Sequence, residues 1–317
     1  MEPLVVITGP TGVGKTRCSI GYARELGGEI ISADSMQVYK GMDIGSAKIK
    51  KNYMQGIPHH LIDIIEPTEP FDVYSFKEYA VRAIKEIRGK DRLPVMVGGT
   101  GFYIQSVLYD IDFSEDRQGN QYRDQLLKLY EENGAMYLHG LLREVDPASA
   151  DAIHPNNIKR TIRALEYAHE TGGRISEHNM AERQKDSVFD SLYFVLTDER
   201  SILYENIEKR VDEMISEGLV EEVKKLMESG VKRDMTSMHG LGYREIYDHL
   251  SGEYDLERAI YLIKLNTRHF AKRQLTWFRR EKNVIWVNKS DFSHDEDRIL
   301  SFLIQKTKEH YDGKQYI

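Results

Sequence analysis

The sequence predicts an α/β fold: a parallel sheet with helices on both faces and a helical insertion between two of its strands. Three observations predict it. Short apolar, β-branched runs alternate with helical patterns, which indicates a covered parallel sheet. The first run, LVVIT at 4–8, leads straight into GPTGVGKT at 9–16. That octapeptide fits G-x-x-x-x-G-K-[ST], the loop that wraps a phosphate chain between a strand and a helix, so the sheet is expected to be P-loop NTPase-like. Residues 114–185, in contrast, are polar, helical in pattern, broken at Gly119, Gly134, Gly172 and Gly173, and hold no convincing strand. The expected organisation is a core of 1–113 and 186–317 around an insertion of 114–185.

The elements follow in order. Helical spacing from Lys15 ends at Gly27-Gly28. EIISADS (29–35) reads as the second strand and HLIDII (60–65) as a short third. SFKE (75–78) reads as a capping box, Ser75 taking the Glu78 amide, opening a helix to about Arg88. PVMVGGTG (94–101) is a strand ending in a glycine turn; LYFVLT (192–197) and VIWV (284–287) are later strands. The tail from 199 to 282 is helical. Asp255 N-caps its last long helix, on which Ile260, Ile263, Thr267, Phe270, Gln274 and Trp277 share a packed face. Lys264, Arg268, Lys272 and Arg279 share a cationic one.

Composition narrows the function. At 317 residues, 40% hydrophobic and 30% charged, the chain has the make-up of a globular protein. No apolar run reaches the roughly 20 residues a bilayer span needs. The N-terminus lacks a basic n-region and is not a signal peptide. A single cysteine, Cys18, leaves no internal disulfide or Cys-rich zinc module, and a reducing cytoplasm is the expected location. The net charge of −7 argues against a general nucleic-acid coat, so any such binding must be local.

The candidate chemistry starts at the loop. Backbone amides of Gly9, Thr11, Gly12, Val13 and Gly14, with the helix N-terminus, are expected to solvate a phosphate chain. Lys15 binds phosphate oxygens and the Thr16 hydroxyl ligates Mg²⁺. Asp34 ends the second strand, at the edge where open α/β sheets bind ligands; there it accepts a proton, holds a metal's water or caps the next turn. Thr100 ends GGTG, where ATPases and GTPases usually carry an acid; it donates one hydrogen bond or simply belongs to a turn. Arg210 interrupts the apolar stripe of Leu203, Ile207 and Met214; it snorkels, pairs with Glu213 or enters an anion pocket. Two basic clusters, Lys159/Arg160/Arg163 and 268–280, the latter interleaved with Phe270, Trp277 and Phe278, are solvated helix faces or, as their sparse acids favour, suit phosphate contact and base stacking. NKSD (288–291) matches a guanine-reading pattern, but no D-x-x-G follows the P-loop where a GTPase would need it. His59-His60 is left unassigned, and the histidines show no metal spacing.

GPTGVGKT, ISADSMQVYKGMDIGSAK, VGGTGFY, NNIKRTIRALE, GLGYRE and KRQLTWFRR, in that order and nearly from end to end, resemble the bacterial tRNA dimethylallyltransferases (tRNA isopentenyltransferases). The resemblance implies transfer of a dimethylallyl group from dimethylallyl diphosphate to N6 of the adenine 3′-adjacent to the anticodon, with Mg²⁺ and without ATP. It implies Thr100 as partner of the bridging oxygen, Asp34 as base for the adenine amine, and Lys15 and Arg210 as counter-charges for the diphosphate. It also implies tRNA contacts from Asp34, Ser35, Met36 and Gln37, from Lys159, Arg160 and Arg163, and from His239, Gly242, Tyr243 and Arg244. Lys272, Arg273, Gln274, Thr276, Trp277 and Arg279 complete that set, with Arg123 beside the reacting base or the flanking strand and the insertion clamping the anticodon stem-loop. His239 stands where many bacterial relatives have arginine. Eukaryotic relatives carry a C-terminal zinc finger that this chain lacks, so no zinc is expected, and nothing demands more than a monomer. Two rival readings predict different outcomes. A small-molecule or nucleoside kinase would turn over ATP, with Asp34 gripping an acceptor hydroxyl. A non-catalytic RNA-binding protein would leave RNA covalently unchanged.

Overall fold

The computed structural model describes residues 1–111 and 120–314. Six parallel strands, β1 (Pro3–Thr8), β2 (Gly28–Ala33), β3 (His59–His60), β4 (Leu93–Gly98), β5 (Asp190–Thr197) and β6 (Val284–Asn288), form one sheet in the order β3-β2-β4-β1-β5-β6. β1, β2 and β4 are buried along their whole length, as strands of a sheet covered on both faces must be. Their continuous apolar runs have that cause. Two strands are shorter than the sequence suggests. β2 stops at Ala33, freeing Asp34 for a loop, and β3 keeps two residues, with Ile65 reduced to one bridge to Tyr39.

One face gathers Val5, Ile7, Val95, Val97, Leu192 and Phe194 against α1 (Lys15–Glu25) and α13 (Glu296–Tyr311). The other takes α2 (Val73–Arg88), packed on β2 and β4, and α3 (Gly101–Leu108), packed on α2. α2 opens one turn before the expected Ser75. Asp72 is its N-cap, accepting from the Ser75 amide at 2.8 Å. An ionised carboxylate is a strong acceptor for that N-terminal amide, and the earlier start places Phe76 in the core.

The chain divides into two compact units: Met1–Leu108 with Val188–Ile317, and Tyr109–Ser187. The expected boundary at 113/114, and Gly119, lie outside the described residues. The second unit is helical throughout its described elements: α4 (Asn120–Asn133), α5 (Ala135–Val145), α6 (Pro147–Ala152), α7 (Ile158–Thr171) and α8 (Ile175–Gln184). Leu126, Leu138, Leu142, Ile162 and Leu165 form its core. Asp146 staples it from inside. Fully buried, it caps α6 by accepting from the Ser149 amide (3.0 Å) and hydroxyl (2.7 Å) and takes the same two groups of Ser176 (3.0 and 2.7 Å). Burial pushes its pKa up, but the four hydrogen bonds outweigh it and hold the carboxyl below its ordinary range.

The remaining helices of the first unit are α9 (Arg200–Glu217), α10 (Leu219–Glu228), α11 (Tyr243–Leu250) and α12 (Leu256–Phe278). α12 buries Ala259, Ile263, Ala271, Gln274 and Phe278. Phe278, expected among the stacking aromatics, is therefore core. The cationic face divides in two because α12 packs on α9. Lys264 pairs with Asp212 and Arg268 with Glu208, so only the C-terminal half, with Lys272, Arg273, Arg279 and Arg280, is exposed.

Candidate active site

The phosphate loop lies between β1 and α1, and Thr8, Ala33 and Gly98 are in register at the same sheet edge. Gly14, the residue before α1, has φ 90°, a left-handed conformation that glycine adopts without strain. The amides of Gly14, Lys15 and Thr16 have no acceptor among the described residues and open the helix N-terminus to an anion. Lys15 donates to the Gly9 and Pro10 carbonyls, each at 2.9 Å. Burial, then the charge of Arg210, lower its pKa to about 7 while Asp34 pulls the other way.

Two loop residues differ from expectation. The Val13 amide turns inward to Pro10 (3.4 Å). The Thr11 amide donates to Gln274 Oε1 at 2.9 Å, which leaves Thr11 its hydroxyl alone for a ligand. Arg210 reaches that hydroxyl, its Nη1 lying 3.5 Å from Thr11 Oγ1. It makes no ion pair among the described residues; Glu213 sits 4.0 Å from Lys209 instead. Burial lowers the Arg210 pKa, with Asp34 and Glu213 opposing. Of the readings open for Arg210, pairing with Glu213 is not made among the described residues, and the guanidinium lies beside the phosphate loop instead.

Asp34 both caps and presents. Its Oδ1 accepts from the Met36 amide (2.8 Å) and the Gln37 amide (3.4 Å), while Oδ2 accepts nothing among the described residues. Gln37 is tied to the Ser32 hydroxyl (3.0 Å) and to the Ser46 carbonyl (3.4 Å). The Thr100 backbone is fully used: its amide donates to Ala33, and its carbonyl starts α3 through Tyr103 and Ile104. Its hydroxyl has no partner among the described residues. A cavity of about 50 Å³ at this edge is lined by Lys15, Thr16, Asp34, Gln37, His59 and Gly98. His59 meets it as a neutral ring, its pKa lowered by burial, with Nδ1 2.8 Å from the Ile57 carbonyl. His60 instead pairs with Glu29 at 2.7 Å, so the adjacent histidines have separate tasks.

Most of the expected RNA contacts fall into two groups, exposed and already engaged, with Arg123 both. Exposed are His239, Arg244, Lys272, Arg273, Thr276 and Arg279 in the first unit and Lys159 and Arg160 in the second, with Arg163 half-buried. A groove of about 380 Å³ is lined by His269, Lys272, Arg273, Thr276, Trp277 and Arg280. Already engaged are four others. Gln274 is 6% exposed, with both ends of its amide bonded. Tyr243 is wholly buried, its hydroxyl donating to Glu222 (2.7 Å) and accepting from the Ser46 amide (3.1 Å). Gly242 is buried, its amide donating to Glu245 at 2.9 Å. Arg123 forks onto Glu166 at 2.8 and 2.9 Å, an arrangement that fixes the guanidinium plane. Glu222 itself accepts from the amides of Asp43, Ile44 and Gly45.

Two residues at the loop were not singled out from the sequence. Asn206 donates to the Gly12 carbonyl at 3.1 Å. Lys289, inside the NKSD stretch, reaches the Val13 carbonyl (3.4 Å) and pairs with Glu296. Its place at the C-terminal end of β6 was the available signal.

The family model for IPP transferase matches residues 37–281, and that for isopentenyl transferase matches 2–69. The tRNA dimethylallyltransferase of Lachnoclostridium phytofermentans is 56% identical over 93% of this chain and 94% of its own length. That of Geobacillus thermodenitrificans is 51% identical over 97% and 98%. The full-length tRNA isopentenylpyrophosphate transferase of Bacillus halodurans superposes with a TM-score of 0.73 at 45% identity, covering 98% of both chains. A eukaryotic dimethylallyltransferase acting on tRNA gives 0.79 at 30% identity, covering 92% of this chain and 75% of its own. With both family models and near full-length relatives in agreement, the chain belongs to the IPP transferase family, the tRNA dimethylallyltransferases.

Proposed function

We propose that this protein transfers the dimethylallyl group of dimethylallyl diphosphate to N6 of the adenine 3′-adjacent to the anticodon of tRNA, releasing diphosphate. One observation carries the reading. Around the phosphate loop stand the Thr100 hydroxyl, which has no partner among the described residues, and the half-open carboxylate of Asp34. A kinase or GTPase usually places an acid where β4 ends in Gly98, Gly99 and Thr100. A neutral donor there suits an oxygen that leaves carbon, and Asp34 Oδ2 suits a nitrogen that must lose a proton.

The diphosphate sits on the open amides of 14–16, with Lys15 and Arg210 as counter-charges. Such preorganised charges act where the negative charge grows. Lys15, poised near neutrality, becomes fully charged against that anion. The Thr100 hydroxyl donates to the bridging oxygen as the carbon–oxygen bond breaks, and the bond's electron pair stays with the diphosphate. The adenine nitrogen forms the new bond to carbon, and its proton passes to Asp34, a role worth about 10²–10⁴-fold in rate.

Among the described residues no group of three His, Cys, Asp or Glu could hold a metal. The exposed Thr16 hydroxyl fits Mg²⁺ of the kind held by few protein ligands plus substrate phosphates. Bound there, Mg²⁺ would neutralise diphosphate charge.

The acceptor is stacked in an anticodon loop, and flipping it out costs a few kcal/mol. The groove cations Lys272 and Arg273, with exposed Arg279, His239 and Arg244 at the start of α11, grip the backbone; Lys159, Arg160 and Arg163 do so from the helical unit. Cytoplasmic location fits this substrate; no helix among the described residues is long and apolar enough to cross a membrane. A monomer suffices, since one chain carries every group named.

The test is direct. The protein is incubated with unmodified tRNA, Mg²⁺ and either dimethylallyl diphosphate or ATP, and the nucleosides are analysed by mass spectrometry. Prenylated adenosine formed with the prenyl donor and not with ATP is expected. Phosphorylated product with ATP, or RNA left unchanged by both, would overturn the reading.

A further inference from the structure

Gln274 was expected at the RNA surface, yet its amide points the other way. Nε2 donates to the Gly99 carbonyl and Oε1 accepts from the Thr11 amide, both at 2.9 Å. It therefore ties α12 at once to the phosphate loop and to the turn that carries Thr100. The fit leaves no slack: a Cβ at Gly99 would collide with Gln274 Nε2. The opposite side of the same turn is fixed by β2, since the Thr100 amide donates to the Ala33 carbonyl at 3.2 Å and a Cβ at Gly98 would collide with that carbonyl. Held on both sides, the Thr100 backbone is fixed relative to the cradle, and its hydroxyl projects from that fixed point.

We propose that Gln274 is a positioning residue for the leaving group: its buried amide sets the distance between the diphosphate cradle and the Thr100 hydroxyl. This rests on the reading of Thr100 given above. The chemistry explains why a glutamine occupies the position. One end must donate to a carbonyl and the other accept from an amide, and a side-chain carboxamide supplies both without charge. Lysine offers no acceptor, and an ionised glutamate would turn an acceptor on the Gly99 carbonyl. An unmet buried amide or carbonyl at either end is costly, so the joint does not open freely. Thr11 also shares its hydroxyl with Arg210, which brings the counter-charge into the same frame.

The test compares Gln274→Met, similar in shape but unable to make either bond, with Gln274→Glu, which can keep the Thr11 bond but not donate to Gly99. Each is made alone and combined with Thr100→Ala, with thermal melting as the check on folding. In the wild-type background both should lower kcat about 10- to 100-fold, the scale of a small misplacement at the reacting atoms. KM for tRNA should stay within about threefold, because the lost interaction is not an RNA contact. In the Thr100→Ala background neither should slow the enzyme further, since the group they position is gone. Gly99→Ala, which displaces the joint from its other side, should reproduce the kcat loss. Unchanged kcat in a folded Gln274→Met, a KM effect alone, or full additivity with Thr100→Ala would overturn the proposal. Wild-type protein that fails to prenylate tRNA would instead overturn the reading it rests on.

Discussion

Asp34 and Asp146 show how differently the two units use a buried or half-buried carboxylate. Asp146 accepts four hydrogen bonds from two serines and has nothing left for chemistry; its work is to close the helical unit. Asp34 gives one oxygen to its own turn and keeps the other clear. Basic groups divide the same way. Arg123, itself exposed, is forked onto Glu166, and Lys264 and Arg268 are paired with α9, whereas Lys272 and Arg279 are exposed with no ion pair among the described residues. Residue type nominates a group for function, but its unmet hydrogen-bonding capacity decides.

That contrast can be broken by substitution. The largest effect belongs to Asp34→Asn, which keeps an acceptor for the Met36 amide and removes the base: turnover should fall about 10²–10⁴-fold with tRNA affinity and melting temperature nearly unchanged. A variant weakened only in tRNA binding would remove Asp34 from the chemistry. Thr100→Ala should follow, at roughly 10²-fold in kcat, as for loss of one preorganised donor to a developing oxyanion. An effect confined to KM would contradict its role.

Asp146→Ala should act on the fold. Four polar groups lose their acceptor, so the helical unit should be destabilised by about 2–4 kcal/mol in denaturant unfolding followed by probes in that unit. Because the native pKa is depressed, the carboxylate's contribution is complete above about 3.9, its unfolded value. It disappears as pH falls through the lower native value. The wild type should therefore lose stability in that acid range and the variant much less; parallel pH curves would refute the assignment.

Two smaller effects sharpen the picture at the surface and the cradle. Lys272→Ala should weaken tRNA binding modestly and reduce the slope of log affinity against log salt by about one; an identical slope would take Lys272 off the interface. Diphosphate binding above about pH 7 should take up a proton, because the free chain holds Lys15 largely neutral there and the bound anion restores its charge. Calorimetry in buffers of different ionisation enthalpy reads this directly, and Lys15→Met should abolish it. Equal proton uptake by the variant would place the proton elsewhere.

Much of this was legible in the residues. The strands and the phosphate loop show through because continuous apolar runs and a spaced glycine loop are local signals. α2 starts before the expected Ser75 because the Asp72 carboxylate takes the Ser75 amide, a capping bond that the SFKE pattern does not reveal. Gln274 lies on the packed face of α12, while the family resemblance implied RNA contact; its partners Gly99 and Thr11 are remote in sequence, and no periodicity reports them. Tyr243 was lost for the same reason, since Ser46 and Glu222 meet it only after folding. That Asp34 and Thr100 stand at strand ends is legible in the sequence, but their oxygens without partners among the described residues are a property of the folded chain alone.

The central claim is that the loop holds a diphosphate that departs from carbon. It is tested most directly with dimethylallyl diphosphate carrying a heavy-oxygen label at the bridging position. After one turnover on tRNA, the label should be found entirely in the released diphosphate, with the prenyl group on adenine N6. Label recovered in dimethylallyl alcohol, or a phosphoryl group on the RNA, would mean that phosphorus rather than carbon is attacked, and would contradict the claim.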